Sequence, residues 1–254
     1  MPTKAKETRG EERMMWARSG IAAAGGLALT AALEVATYPL WRPWCLTWGA
    51  IDGEAALVLP GDELLAEPDL ITTRAVGVDA PPSAIWPWLV QMGPGRGGAY
   101  TYDWIENLMG LGMHSADEIL PQYQDLKAGE AWQLGRGGPV LRVAVLEPQQ
   151  SMVLRSDDGN WVWAFALVPA GQSTRLISRN RITTPGFSRL MRAIYTYVME
   201  PGSLLMERKM LLGIKQRAER LARPDRDWRS RWTSLKDLQK NHPRRPPRRR
   251  SPGL

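Results

Sequence analysis

From about residue 126 the chain alternates between apolar and polar positions. The segments EAWQLG (130–135), VLRVAVLEP (140–148), SMVLRSD (151–157), WVWAFALVP (161–169) and TRLISRNRIT (174–183) are separated by turn residues such as Gly137-Gly138, Asp158-Gly159 and Gly171. A period of two with short turns predicts an antiparallel meander with one buried face. ITTRAVGVDA (71–80) alternates in the same way, and Pro81 and Pro82 suit the start of a following helix. SAIWPWLVQM (83–92) reads as a short apolar helix that Pro87 should kink. GPGRGG (93–98) reads as a loop, and AYTYDWIENLMGL (99–111) as a helix with Tyr100, Trp104, Leu108 and Leu111 on one face. Ser115 and Glu118 have the spacing of a capping box.

Beyond the meander the period returns to that of a helix. FSRLMRAIYTYVM (187–199) is helical in pattern, Pro201-Gly202 should break it, and SLLMERKMLLGIKQRAERLA (203–222) resumes it. Met206, Met210, Ile214, Ala218 and Leu221 form the expected apolar stripe. The element order is strand, two helices, about five strands, then a long helix. That predicts an α+β domain over 71–222, in which a sheet curving around one helix leaves a hollow between them.

The N-terminus has a different pattern. Residues 1–18 are polar, and SGIAAAGGLALTAAL (19–33) carries no charge. Fifteen helical residues span about 22 Å, short of the ~30 Å hydrocarbon core. Extending the helix through Glu34 to Trp41 reaches about 34 Å, with one carboxylate and with Tyr38, Trp41 and Trp44 placed as interfacial aromatics. This predicts an N-terminal apolar helix over 19–41 that anchors the protein as a single-pass protein of the cell membrane. The alternative is an Ala-rich helix packed on the domain of a cytoplasmic protein. Residues 42–70 contain Pro43, Gly49, Gly53, Pro60, Gly61 and Pro68 and read as a linker.

Charge changes the picture only at the ends. The net +7 divides into +2 for residues 1–18, +8 for 223–254 and −3 for the body, so a basic groove for nucleic acid across the domain is not expected. In the tail, DRDWRSRWTSLKDLQK (225–240) puts Trp228, Trp232, Leu235 and Leu238 on one helical face, the pattern of an interfacial helix, and RRPPRRR (244–250) follows. The tail therefore suits anionic lipid better than nucleic acid. Cys45 is the sole cysteine and His114 and His242 the only histidines, too few for an intrachain disulfide or a Cys/His zinc site. Neither a phosphate-loop pattern nor a nucleophile elbow is present, and no cofactor is expected.

The stretch VDAPPSAIWPWLVQMG (78–93) resembles the first strand and helix of the SRPBCC superfamily, which includes START lipid-transfer domains and polyketide cyclases. Residues 95–130, 48–65 and 206–219 are similar to an actinobacterial membrane-anchored subgroup of it. The resemblance covers about 46–220. It implies a helix-grip (START-like) fold, a curved antiparallel sheet wrapped around a long C-terminal helix, with one internal pocket. Members range from lipid carriers to cyclases and hydrolases and share no catalytic motif. The implied function is binding, transport or sequestration of a small hydrophobic or amphipathic ligand such as a lipid or polyketide. The alternative is a cyclase, dehydratase or hydrolase using the same cavity.

Alternation in WVWAFALVP puts Trp161, Trp163, Phe165 and Leu167 on the face expected to meet the helix. Leu141, Val143, Met152, Leu154 and Leu176 join it from neighbouring strands, and Met206 and Met210 face it from the helix. Ser178 and Asn180 share the inward register with Leu176, while Arg175, Arg179 and Arg181 face outward. The ligand-binding candidates are thus Trp161, Trp163, Phe165, Leu154, Leu176, Ser178, Asn180, Met206 and Met210, against the alternative that they fill the core solidly. For catalysis, Tyr100, Tyr102, Asp103 and His114 are the candidates within a polar cluster that also holds Arg96, Glu106 and Asn107. The alternative there is an ordinary helix surface. GPGRGG is a weak candidate for cradling an anion.

Overall fold

Strands with strict alternation need partners to pair with and a cover over the apolar face. The computed structural model, which describes residues 26, 30 and 32–223, shows how both are supplied. The strands are β1 (Leu70–Val78), β2 (Ala131–Gln133), β3 (Val140–Glu147), β4 (Ser151–Ser156), β5 (Trp161–Ala170) and β6 (Ser173–Ile182). They form one antiparallel sheet in the order β1-β6-β5-β4-β3-β2, with a bulge between Val143 and Val145 that bends β3. The helices are α1 (32–46), α2 (Pro82–Val90), α3 (Asp103–Leu108), α4 (Arg189–Ile194) and α5 (Glu200–Ala222). The sheet curves around α5, which packs on α2 and β1, giving the expected α+β helix-grip arrangement.

Register decides what each face carries. Arg74, Ser178, Phe165 and Met152 lie in one row across β1, β6, β5 and β4, and Thr72, Asn180, Trp163 and Leu154 lie in the next. These inward rows are polar at the β1–β6 side and apolar toward β4. Phe165, Leu154, Leu176, Met152, Leu141 and Val143 join Met210, Leu211 and Ile214 of α5 in the main core.

The outer face is covered by the segment expected to be a free linker, which is instead a strap. Leu59 packs on Ala75, Ala166 and Ile177, while Leu64 and Leu65 pack on Val153, Val162 and Ala164. The outward arginines of β6 hold the strap. Arg175 donates to both Glu54 oxygens (2.7 Å each) and to Gly49 O, and Arg179 pairs with Asp62 and donates to Leu57 O. Arg181 donates to Leu65 O and Ala66 O. These side chains face outward as expected, but Arg179 is buried beneath the strap.

Four further expectations need correction. The helix at 99–111 shrinks to α3, because Tyr100 takes a left-handed backbone conformation (φ 60°) before it. Tyr100 is buried, whereas Trp104 and Leu108 are exposed, so they share no face. Ser115 and Glu118 make no capping box. Ser115 instead binds the Asp103 carboxylate through its N–H (2.8 Å) and hydroxyl (2.6 Å). Pro201-Gly202 does not break the last helix. A π-helical turn at Tyr195–Met199 joins α4 to α5 and accommodates the proline's missing N–H. The buried face of α5 holds the expected Met210, Ile214 and Ala218 and adds Leu204, Glu207 and Leu211, while Met206 is partly buried and Leu221 half-exposed.

At the N-terminus, only the end of the expected anchor packs on the domain, and Leu33, Val35 and Leu40 are exposed. Tyr38 and Cys45 are fully buried against Leu204, with half-buried Trp41 alongside, so Tyr38 is not a free interfacial aromatic, whereas Trp44 is exposed. No described helix is long and apolar enough to cross a membrane, and most of 19–31 lies outside the described residues. The tail helix expected at 225–240 also lies outside them.

Candidate functional site: a cavity between the sheet and the long helix

A sheet bent around a helix cannot touch it everywhere, and the gap here is a cavity of about 680 Å³. Its lining combines Trp161 and Trp163 of β5, Thr72 of β1, Asn180 of β6, and Met206, Glu207 and Met210 of α5. Ala99, Thr101 and Glu106 contribute from the segment around α3, and Tyr195, Met199 and Glu200 from the π turn onward. The turns at Gly137–Pro139 and Asp158–Asn160 complete it.

The two indoles stack at 5.6 Å with 16° between their planes, and Phe165 lies 4.9 Å beyond Trp163. Both indole N–H groups are satisfied within the sheet: Trp163 donates to Ser178 Oγ (2.9 Å) and Trp161 to Asn180 Oδ1 (2.8 Å). Ser178 in turn donates to Glu207 Oε1, and the Asn180 amide donates to the same oxygen (3.2 Å) and to Thr72 Oγ1 (3.3 Å). Glu207 closes the network by pairing with Arg74, which has no exposure and also donates to Cys45 O and Ser203 Oγ. The inward polar groups thus find one another, and a buried ion pair neutralises the carboxylate among them.

A second acid–base pair lies at the α1 end. Glu200 accepts from Arg42 (2.7 and 2.9 Å) and from the Tyr38 hydroxyl (2.7 Å). Glu106 differs from both. It is 4% exposed, and its Oε2 has no hydrogen-bond partner among the described residues, nor does the buried Thr101 hydroxyl beside it. Burial pushes the Glu106 carboxyl above its ordinary range. The Thr101 hydroxyl offsets part of that without reaching hydrogen-bond geometry, and nearby Asp103 adds to the rise.

Of the expected ligand-binding residues, Trp161, Trp163, Asn180, Met206 and Met210 line the cavity. Phe165, Leu154, Leu176 and Ser178 lie behind them in the packed core. None of the four expected catalytic residues lines the cavity. Tyr100 donates to Trp88 O (2.9 Å), and burial raises its phenol. Asp103 is clasped to Ser115, Tyr102 lies under Lys209 (5.7 Å), and His114 is exposed.

The Gly-rich loop spends its amides internally. The N–H groups of Gly93, Gly97 and Gly98 bind Gly98 O, Gln91 O and Gly93 O, and Arg96 donates to Val90 O, so the loop does not cradle an anion. It packs so closely that a Cβ at Gly98 would meet His114 O at 2.6 Å. Among the described residues, no three His, Cys, Asp or Glu side chains are placed to hold a metal ion.

Arg74 and Glu207 were missed as site residues, and Glu106 stood in the expected polar cluster without being one of its candidates. For the first two the signal was present. Arg74 sits in the inward register of β1, between Thr72 and Val76, and Glu207 interrupts an apolar stripe of α5. A charge on each of two facing surfaces, opposite in sign, is the mark of a buried pair.

No protein-family model matches the chain, and neither does any curated protein. Several solved structures resemble it. The KanY protein is 17% identical, with 59% of this chain and 97% of that one covered, at a TM-score of 0.38. A Polyketide_cyc-like protein, Cgl2372 from Corynebacterium glutamicum, is 14% identical, with 68% and 95% covered, at 0.30. CalU16 from Micromonospora echinospora is 15% identical, with 60% and 85% covered, at 0.29. The helix-grip assignment rests on this chain's own strand order and helix placement, and these likenesses add nothing about what fills the cavity.

Proposed function

We propose that the domain binds a small hydrophobic or amphipathic molecule in the cavity between the sheet and α5. One observation carries this reading. An open volume of about 680 Å³, within the range of small-molecule sites, is walled by stacked indoles and methionines. The polar groups of the sheet and helix at that wall are tied to one another. Apolar surface facing open space remains, and burying it against a ligand is favourable. The absence of Tyr100, Tyr102, Asp103 and His114 from the cavity lining supports carriage over chemistry by those residues.

The test combines native mass spectrometry of the purified full chain with displacement of an apolar fluorescent dye. Trp163→Ala should enlarge the cavity and weaken dye binding at least several-fold. Its stability cost should fall below the ~3–5 kcal/mol of a fully packed aromatic, because one side of the ring already faces open space. A full-sized loss of stability, with no dye or co-purifying molecule bound by the unaltered protein, would mean a solid core and end this reading.

A further inference from the structure

The polar groups of the cavity fall into two sets. Glu207 and Glu200 each face an arginine, Asn180 donates to Glu207 and to Thr72, and Ser178 donates to Glu207 from behind the wall. Glu106 and Thr101 stand apart. Both line the cavity, both are buried at their polar ends, and Glu106 Oε2 and Thr101 Oγ1 have no partner among the described residues. A buried carboxyl oxygen left unpaired is costly, and Glu106 belongs to the cavity wall, beside the space a ligand takes.

The charge of the lining says what should come. Glu106, Asp158, Glu200 and Glu207 contribute four acidic side chains to the wall, and no lysine, arginine or histidine lines it. Arg42 and Arg74 neutralise Glu200 and Glu207 from behind. Neither Glu106 nor Asp158 has an ion-pair partner among the described residues. An anionic head group would therefore meet uncompensated negative charge. A cation would meet a carboxylate, and the indoles of Trp161 and Trp163 in the same lining offer aromatic faces that attract ammonium groups.

We propose that Glu106 and Thr101 form the polar anchor of the cavity, and that its ligand is an apolar molecule carrying an amine. The ammonium pairs with the Glu106 carboxylate, with the Thr101 hydroxyl beside it, while the apolar body lies along Trp161, Trp163, Met206 and Met210. This rests on the ligand-binding reading above and names the ligand class for that site.

Three probes of equal chain length separate the two claims: dodecylamine, dodecanol and dodecanoate, each competing with an apolar dye for the full chain at neutral pH. The amine should bind about tenfold or more tighter than the alcohol, as a hydrogen-bonded buried charge implies, and the carboxylate weakest. E106Q, which keeps size and removes charge, should lose the amine preference, so that amine and alcohol bind it alike. Equal affinity for amine and alcohol, or an amine preference that survives in E106Q, overturns the anchor while leaving the cavity reading intact. If none of the three nor the dye binds, the cavity reading fails and the anchor with it. Should E106Q lose dodecanol as well, the order of the three probes on the unaltered protein decides.

Discussion

The pair with most at stake is Arg74 and Glu207. Both are buried and each is the other's ionic partner, so removing one leaves an uncompensated charge in the core. Arg74→Met should cost about 3–5 kcal/mol, measured by denaturant unfolding. Arg74→Met combined with Glu207→Met should recover much of that, since an apolar pair of similar volume has no charge to desolvate. If the double variant is as unstable as the sum of its single changes, Glu207 is not held chiefly by Arg74, and the network through Ser178 and Asn180 carries the weight.

At the scale of elements, the strap over the outer face is held by ion pairs as well as by apolar contact, and that makes it sensitive to pH. Burial alone would raise the Glu54 carboxyl, but the Arg175 hydrogen bonds and the Ile51 N–H outweigh it and hold the group below its ordinary range. A carboxyl lowered in the folded state contributes stability that is present above its unfolded value. That contribution is lost as pH falls through the folded value. Glu54→Gln should therefore cost about 1–3 kcal/mol at neutral pH. The gap between the two proteins should close on acidification, followed by thermal or urea unfolding across pH. A gap that stays constant with pH would assign the strap's hold to Leu59 and its apolar neighbours instead. Another close fit lies across the molecule, where a Cβ on Gly213 of α5 would meet Tyr100 O at 2.7 Å. That glycine lets the 99–101 segment, and with it Thr101, sit against the helix.

For the whole molecule, the described end of α1 is fixed to α5 by Tyr38, Arg42 and Cys45. We propose that 19–41 anchors the chain to a membrane, a reading supported by the uncharged run at 19–33 and the flanking Arg13 and Arg18. With α1 docked in this way, the anchor would hold the domain close to the bilayer. The full chain should then fractionate with membranes and need detergent for release. Release by high salt alone would exclude a spanning anchor and leave a peripheral association through the basic tail.

The strands, their inward and outward faces and the long final helix were legible in the chain because period-two and helical patterns are local. Trp161, Trp163 and Asn180 lie at the cavity for that reason: once Leu167 is inward, the register carries the rest of the face with it. What stayed hidden depended on residues far apart in the chain. Arg74 meets Glu207 across 133 positions, and Arg175 meets Glu54 across 121. No local pattern distinguishes a strap that packs from a linker that does not. Tyr100 and Glu106 were misjudged for a related reason. A residue in a left-handed conformation ended the helix that spacing had extended, and the shortened α3 turned Glu106 toward the cavity rather than toward solvent. Periodicity reports which face of an element is buried. Whether that burial is against a side chain, a strap or an open cavity is set by how the elements meet.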